Sequence, residues 1–188
     1  MNEKTKKLVG IGLFTAIVIV LQVLAVMIRP TGIFTISLVL APIIIGAALY
    51  GWQAGAWLGF VFGVVVLIND AGAFLAVNVP GTVATVLVKG TCAGLVAGLV
   101  YKALEKKNDL LAVICAGITA PVVNTGLFLV GCELFFMDTI REWASATTYP
   151  NAGAYLILGI VGINFLIELA VNLVLSSVIV RLIKIGRR

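Results

Sequence analysis

The sequence predicts an all-α integral membrane protein, a bundle of six transmembrane helices with both termini in the cytoplasm. Hydrophobic residues make up 62% of the chain and charged residues 11%, and the mean hydropathy is +1.19. A soluble domain usually has about 45–50% apolar and about 25% charged residues. The apolar runs and their short links use nearly all 188 residues, so residues 1–188 are predicted to form a single transmembrane domain.

Six apolar runs are candidate spans, because a helix needs about 20 apolar residues to cross a bilayer. They cover residues 8–28, 36–51, 52–68, 81–103, 110–136 and 153–183. The second and third runs are separated only by Tyr50-Gly51-Trp52, which predicts either a tight helical hairpin or one kinked element. Pro42 predicts a kink or a short, irregular second helix, because proline cannot donate a backbone hydrogen bond.

Basic residues orient the predicted bundle. Ten of them precede the first span, link the fourth to the fifth, or end the chain: Lys4, Lys6, Lys7, Lys102, Lys106, Lys107, Arg181, Lys184, Arg187 and Arg188. With six spans all of these lie on one side, whereas Arg29 and Arg141 lie on the other. The positive-inside rule places the basic side in the cytoplasm. The net charge of +5 therefore reflects contact with the lipid bilayer, and no nucleic-acid partner is expected.

Several kinds of chemistry have no support in the sequence. The chain has no histidine, which is the commonest general base and zinc ligand, and it has no G-x-x-x-x-G-K-[ST] phosphate loop. Cys92, Cys115 and Cys132 have no metal-binding spacing and are interpreted as small buried residues. We therefore expect no enzyme, no cofactor and no metal site, which leaves binding or movement of a solute.

Lys89 is the strongest candidate for a functional residue, because it lies inside an apolar span. A charge at that depth normally faces a bundle interior or a wet cavity. Helical periodicity places Thr82, Thr85, Lys89 and Cys92 on one face of the fourth span. The span therefore carries a polar-edged stripe centred on Lys89, with Thr85 as a further candidate ligand contact.

The last two spans add polar residues. Asn164, Glu168 and Asn172 recur at i, i+4 and i+8, so they share one helix face. Asn124 follows Pro121 in the fifth span, and Phe128, Cys132 and Phe135 continue its face, with Glu133 on the opposite side. These patterns predict a polar pocket between spans four, five and six, with Asn124, Phe128, Asn164 and Glu168 as ligand contacts.

A purely structural interpretation remains open. Lys89 and Glu168 could form an ion pair that locks two helices together. Asparagines in membrane helices also often serve as interhelical hydrogen-bonding groups.

The connections predicted on the outer side are unusually apolar. Residues 29–35 and 69–81 contain glycine and proline joints and are candidate lids over an outward pocket; Asn78, in the second of them, is a candidate ligand contact. Residues 137–144 predict a short amphipathic helix at the membrane interface. Its Trp143 is predicted to be either an interfacial anchor or a pocket wall.

These features together resemble the substrate-binding S component of energy-coupling factor (ECF) vitamin transporters. The resemblance lies in the start Lys6-Lys7-Leu8-Val9 running into Gly12-Leu13-Phe14-Thr15-Ala16, the six spans, the basic link between spans four and five, and the end Leu175-Ser176-Ser177-Val178-Ile179-Val180-Arg181. It covers essentially the whole chain. In that family an A-x-x-x-A pattern in the first helix docks on a transmembrane coupling subunit, and Gly12 and Ala16 match its two alanines. Residues of this size also let another helix approach closely.

The resemblance implies a multi-pass protein of a prokaryotic cell membrane that captures a small vitamin from outside. The pocket would be built by the last three helices and closed by outer loops. Two ATPase subunits, bound through the coupling subunit, would supply the missing phosphate loop, and the S component would topple in the membrane when it docks.

The identity of the substrate is less constrained. Lys89 favours a ligand with an acidic group, and Asn124, Asn164 and Glu168 could bond hydroxyls or amides. Pantothenate fits this description, whereas riboflavin is the rival, with Phe128, Phe135, Trp143 or Tyr155 as stacking walls.

Two other classes of function remain open. One is a solo secondary transporter or channel-forming oligomer in which Lys89 and Glu168 relay an ion. The other is a membrane assembly subunit whose polar residues are purely structural.

Overall fold

All regular structure in the described part of the chain is helical. The computed structural model describes residues 2–28 and 38–186. In chain order the helices are α1 (Glu3–Met27), α2 (Leu40–Tyr50), α3 (Trp52–Asn69), α4 (Gly72–Leu75), α5 (Val79–Leu104), α6 (Asp109–Phe135), α7 (Met137–Ser145), α8 (Ala152–Ala154) and α9 (Ile163–Gly186), with a π-helical segment (Tyr155–Gly162) joining α8 to α9. The predicted all-α class is confirmed.

Within the described residues, five helices are long and apolar enough to span a membrane. They are α1, α3, α5, α6 and the continuous helical stretch Ala152–Gly186. The remaining predicted span, residues 36–51, corresponds to α2, which is apolar but only 11 residues long. Residues 36 and 37, like the predicted lid at 29–35, lie outside the described residues.

Two separate helices, α2 and α3, meet at Gly51. Its φ of 97° lies in the left-handed region that glycine adopts without a steric penalty. Pro42 lies in the first turn of α2, where the backbone N–H that proline lacks would have no intrahelical partner. The hairpin alternative for this boundary and the short second helix are therefore confirmed.

The first part of α1 and the end of α9 lie at the same end of the bundle. Gly10 of α1 packs directly against the ring of Tyr50, the last residue of α2. Near the end of α9, a Cβ added to Gly186 would lie 2.9 Å from the Leu49 side chain. The start of α1, the end of α2 and the end of α9 therefore come together.

The closest helix pair is formed by α3 and α5, which run antiparallel. Both carry glycine at every fourth position: Gly55, Gly59 and Gly63 in α3, and Gly90, Gly94 and Gly98 in α5. A Cβ added to Gly55 would lie 2.5 Å from the carbonyl oxygen of Gly94, and one added to Gly59 would overlap the carbonyl of Gly90. Small residues at this spacing let helix backbones touch, as in membrane helix pairs.

Gly59→Ala is expected to destabilise the protein by about 1–3 kcal/mol, because the new methyl group must push two backbones apart. The measurement is the thermal unfolding midpoint in detergent. Gly126→Ala is the matched control, since a Cβ at this position in α6 meets nothing within 4 Å and alanine favours the helix by up to about 1 kcal/mol. An equal midpoint for Gly59→Ala and wild type would contradict this backbone contact.

The connections at the other end of the bundle are compact. Between α3 and α5 the chain forms the single turn α4, so the predicted lid at 69–81 is largely helical. The predicted amphipathic helix is confirmed as α7, in which Ile140 and Ala144 are buried. Its Arg141 Nη1 lies 2.7 Å from Asp138 Oδ1 on the exposed face.

Candidate functional site

A cavity of about 610 Å³ lies toward the end of the bundle opposite the chain termini. Asp70, Ala71 and Phe74, which follow the end of α3, line it together with Tyr149 from the connection after α7. Its volume falls within the range of about 300–1,000 Å³ that is usual for small-molecule sites. The structure therefore provides a ligand-sized chamber inside the helices that are long enough to span a membrane.

Five of the predicted ligand contacts line this cavity: Lys89, Asn124, Phe128, Asn164 and Glu168. Residues from three predicted spans, now α5, α6 and α9, are thus brought together as the sequence periodicity implied. The cavity also has walls from α1 and α3, through Gln22, Phe62 and Val66, which the prediction did not include.

Lys89 is the only basic residue among the described residues that line the cavity. It lies about 15 Å along the helix axis from Val79, at a rise of 1.5 Å per residue. The next residue, Gly90, packs on α3. The Lys89 side chain extends beside this helix contact toward Phe128 of α6. Its Nζ lies 5.0 Å from the centre of the Phe128 ring, within the range of a cation–π interaction.

Glu168 brings a carboxyl group to the same cavity as Lys89. One turn earlier, Asn164 also lines the cavity, and its Nδ2 donates to the Ile160 carbonyl at 3.3 Å. Asn172 lies outside the lining, where its Nδ2 donates to the Glu168 backbone carbonyl at 2.9 Å and its Cβ faces Gly117. The predicted polar face of the last span is therefore divided between the cavity and the contact with α6.

Three other predicted ligand contacts lie outside the cavity lining. Thr85 is buried against Gly131 of α6, and its hydroxyl oxygen has no hydrogen-bond partner among the described residues. Asn78 caps the start of α5 by accepting a hydrogen bond from the Gly81 N–H at 3.0 Å. Trp143 is half-buried and packs on Phe74. The positions of Thr85 and Trp143 fit roles in packing, and that of Asn78 fits a role in capping α5.

An aromatic cluster closes one side of the cavity. The Phe74 ring of α4 makes edge contacts with Phe128 at 5.6 Å, Phe136 at 5.0 Å and Trp143 at 5.6 Å between ring centres. Phe74 and Phe128 line the cavity, whereas Trp143 supports Phe74 from behind. Trp143 itself is absent from the lining, so the structure does not place it in a pocket wall.

The candidate stacking residues for a flavin ring do not form one surface. Tyr155 lines the cavity with Tyr149, and the two ring centres lie 5.6 Å apart. Phe135 is 43% exposed and packs against Gly81, away from the cavity lining.

The π-helical segment forms another wall. Tyr155, Gly159, Ile160 and Val161 all line the cavity, and Gly159 lies against both the Tyr149 and Tyr155 rings. Wider π-helical turns are rare and often occur at functional sites. This segment immediately precedes α9 and therefore sets the position of Asn164.

Gln22 is one of the polar lining residues that the sequence interpretation missed. It is the only amide side chain in the first apolar run, and this was the signal that could have identified it. Gln22 is 2% exposed, and its side-chain oxygen has no hydrogen-bond partner among the described residues.

The predicted docking residues lie on an exposed part of α1. Gly12 faces open space, with nothing within 4 Å of an added Cβ, and Ala16 one turn later is also exposed. Gly12 lines a groove of about 560 Å³ between α1 and α3, with Lys7 and Thr15 on the same helix. Across it, Trp57 Nε1 donates to Thr15 Oγ1 at 3.2 Å.

No cluster of three or more His, Cys, Asp or Glu side chains that could hold a metal ion occurs within residues 2–28 and 38–186. The described lining of the cavity offers an organic solute one ammonium group (Lys89), two carboxyl groups (Asp70 and Glu168) and three amide side chains (Gln22, Asn124 and Asn164).

Comparison with known proteins agrees with this arrangement. The family model "ECF transporter, substrate-specific component" matches residues 6–180. The pantothenic acid transporter PanT of Lactococcus lactis subsp. cremoris (strain MG1363) is 25% identical over 196 aligned residues, which cover 95% of this chain and 94% of PanT. No solved structure matches the chain significantly. The chain therefore belongs to the family of ECF transporter substrate-specific components, which are transport proteins of the bacterial cell membrane and not enzymes, as the resemblance predicted.

Proposed function

We propose that this protein captures a small acidic vitamin of the pantothenate type outside the cell and delivers it as a subunit of an ATP-driven ECF importer. The observation that carries the proposal is Lys89, the single basic residue in the described lining of a cavity within spanning helices. A charge held there is a functional group by default. The similarity to a pantothenic acid transporter supports the same class of substrate.

The chemistry of the cavity favours a ligand with one acidic group. The Lys89 ammonium would pair with the ligand carboxylate, because charge-assisted hydrogen bonds are about twice as strong as neutral ones. Asp70 and Glu168, which line the same cavity, would repel a second acidic group. Asn124 and Asn164 would bond hydroxyl and amide groups, since a side-chain amide both donates and accepts.

The orientation follows from the basic residues. With both termini in the cytoplasm, as the positive-inside rule requires, the cavity at the opposite end of the bundle faces outward. In this arrangement α2 is a short sixth span. The α4 turn with Phe74, and the connection carrying Tyr149, lie where a ligand enters and are suited to close over it.

Energy for transport would come from partner subunits. The sequence contains no phosphate loop, so a coupling subunit with two ATPase subunits would drive delivery. We place the contact with the coupling subunit at Gly12 and Ala16, because both are exposed small residues on a helix face that the rest of the described chain leaves open.

The proposal predicts that pantothenate stabilises the purified protein. A ligand at 100 times its dissociation constant adds about 2.7 kcal/mol to the free energy of unfolding, which a thermal-shift measurement detects. Riboflavin, biotin, thiamine, folate, niacin, pyridoxine and lipoate form the comparison set. A shift with riboflavin alone would replace the acidic-vitamin assignment by its rival.

A solo secondary transporter remains the alternative, and the presence of Lys89 and Glu168 on one cavity is the observation that favours it. Such a pair could relay an ion across the cavity. Uptake into vesicles that contain this protein and no ATPase would support the alternative. Uptake that requires ATP and the coupling module would support the ECF importer.

A further inference from the structure

Two amide groups in the cavity have side-chain oxygens without partners. Gln22 of α1 is 2% exposed and Asn124 of α6 is 8% exposed. Both line the cavity, and neither Oε1 of Gln22 nor Oδ1 of Asn124 accepts a hydrogen bond from any described residue. Two helices that are far apart in sequence thus each place, in the wall of one chamber, a buried amide oxygen that no described residue pairs with.

Such groups are unfavourable in an empty protein. Buried polar atoms are nearly always hydrogen-bonded, so each exception needs an explanation. The free-energy cost of an unpaired polar atom is greater in a membrane interior, because the surrounding lipid offers no hydrogen bonds. Gln22 is also the only polar residue of α1 between Ile17 and Met27.

We infer that Gln22 and Asn124 accept hydrogen bonds from the bound ligand, so that Gln22 is a specificity-determining residue and the ligand carries two hydroxyl or N–H donors besides its acidic group. The inference rests on the proposed function. It extends the binding site to α1, which lies outside the three helices from which the pocket was predicted.

Within this arrangement the cavity selects a ligand by two different means. Lys89 selects for one negative charge, whereas the two amide oxygens reject any acid that lacks donors. A simple fatty or aromatic acid would leave both oxygens unpaired, whereas an acid with two donors would gain two buried hydrogen bonds and therefore bind more tightly.

The test uses the full-length protein in detergent, with pantothenate and two pantothenate analogues in which one hydroxyl is replaced by hydrogen. Wild type, Gln22→Met and the control Leu21→Met are compared by calorimetric Kd and by ligand-free unfolding midpoint. Methionine matches glutamine in length but accepts only weak hydrogen bonds, and Leu21→Met introduces the same side chain at the adjacent position of α1.

For Gln22→Met we expect pantothenate affinity to fall about 10- to 100-fold, the usual range when a buried hydrogen-bonding partner is removed. The ligand-free midpoint should stay equal or rise, because an unpaired oxygen has been removed. Wild type should bind one analogue more weakly than pantothenate, whereas Gln22→Met should no longer distinguish that analogue from pantothenate. Leu21→Met should behave as wild type.

Three outcomes would overturn the assignment, and they can be told apart. Pantothenate binding to Gln22→Met with unchanged Kd would show that Gln22 does not contact the ligand. A lower ligand-free midpoint or loss of folded protein in Gln22→Met would show a structural role. Absence of pantothenate binding to wild type would overturn the proposed function, and this inference with it.

Discussion

Replacement of Lys89 by alanine is expected to abolish ligand binding while the protein remains inserted and folded. The substitution removes the only cation that the described lining offers to an acidic ligand and leaves Glu168 facing the ligand carboxylate. Truncating one member of a buried charge pair weakens binding by about 2–5 kcal/mol, so we expect a loss of at least about 30-fold in affinity. The measurement is the Kd for pantothenate by calorimetry.

Two variants separate charge from packing. Lys89→Met keeps much of the side-chain length without the charge and should lose affinity as Lys89→Ala does. Lys102→Ala makes the same substitution at an exposed position of the same helix and should bind like wild type. Undiminished affinity in Lys89→Ala would contradict the proposed role, and loss of folded protein in both Lys89 variants would indicate a packing residue.

The periodicity of the helices predicted the centre of the site. Lys89, Asn164 and Glu168 were identified because polar residues in an apolar span must face inward, and the structure places all three on one cavity. The same rule also selected Thr85 and Asn172, which share faces with them. These two lie beyond the cavity because helix periodicity gives the face of a residue but not the point at which two helices begin to touch.

Three further features of the structure were not predicted from the sequence. The glycine rows of α3 and α5 bring two backbones together, and this contact depends on both sequences at once. Gln22 was missed because α1 was interpreted only as a docking helix. The π-helical turn from Tyr155 to Gly162 also escaped prediction, since its residues have an ordinary apolar pattern.

Gly12→Leu is expected to leave ligand binding intact and to abolish ATP-driven uptake. Gly12 faces open space on an exposed part of α1, so a leucine there fits the isolated protein without strain. The same leucine would hold a partner helix away from a surface that requires close approach. Gly12 is also distant from the ligand cavity, because the lining residue Gln22 lies ten residues later, about 15 Å along the axis of α1. A change at Gly12 should therefore affect docking without affecting ligand binding.

The experiment measures pantothenate Kd, co-purification with the coupling module and vitamin uptake for each variant. Gly12→Ala should retain uptake, since alanine occupies the matching position in the pattern that the first helix resembles. Ala84→Leu places the same bulk on an exposed face of α5 and should also retain uptake. Normal uptake in Gly12→Leu would move the docking surface away from this groove, whereas a higher Kd for pantothenate in the same variant would mean that the two ends of α1 are not independent.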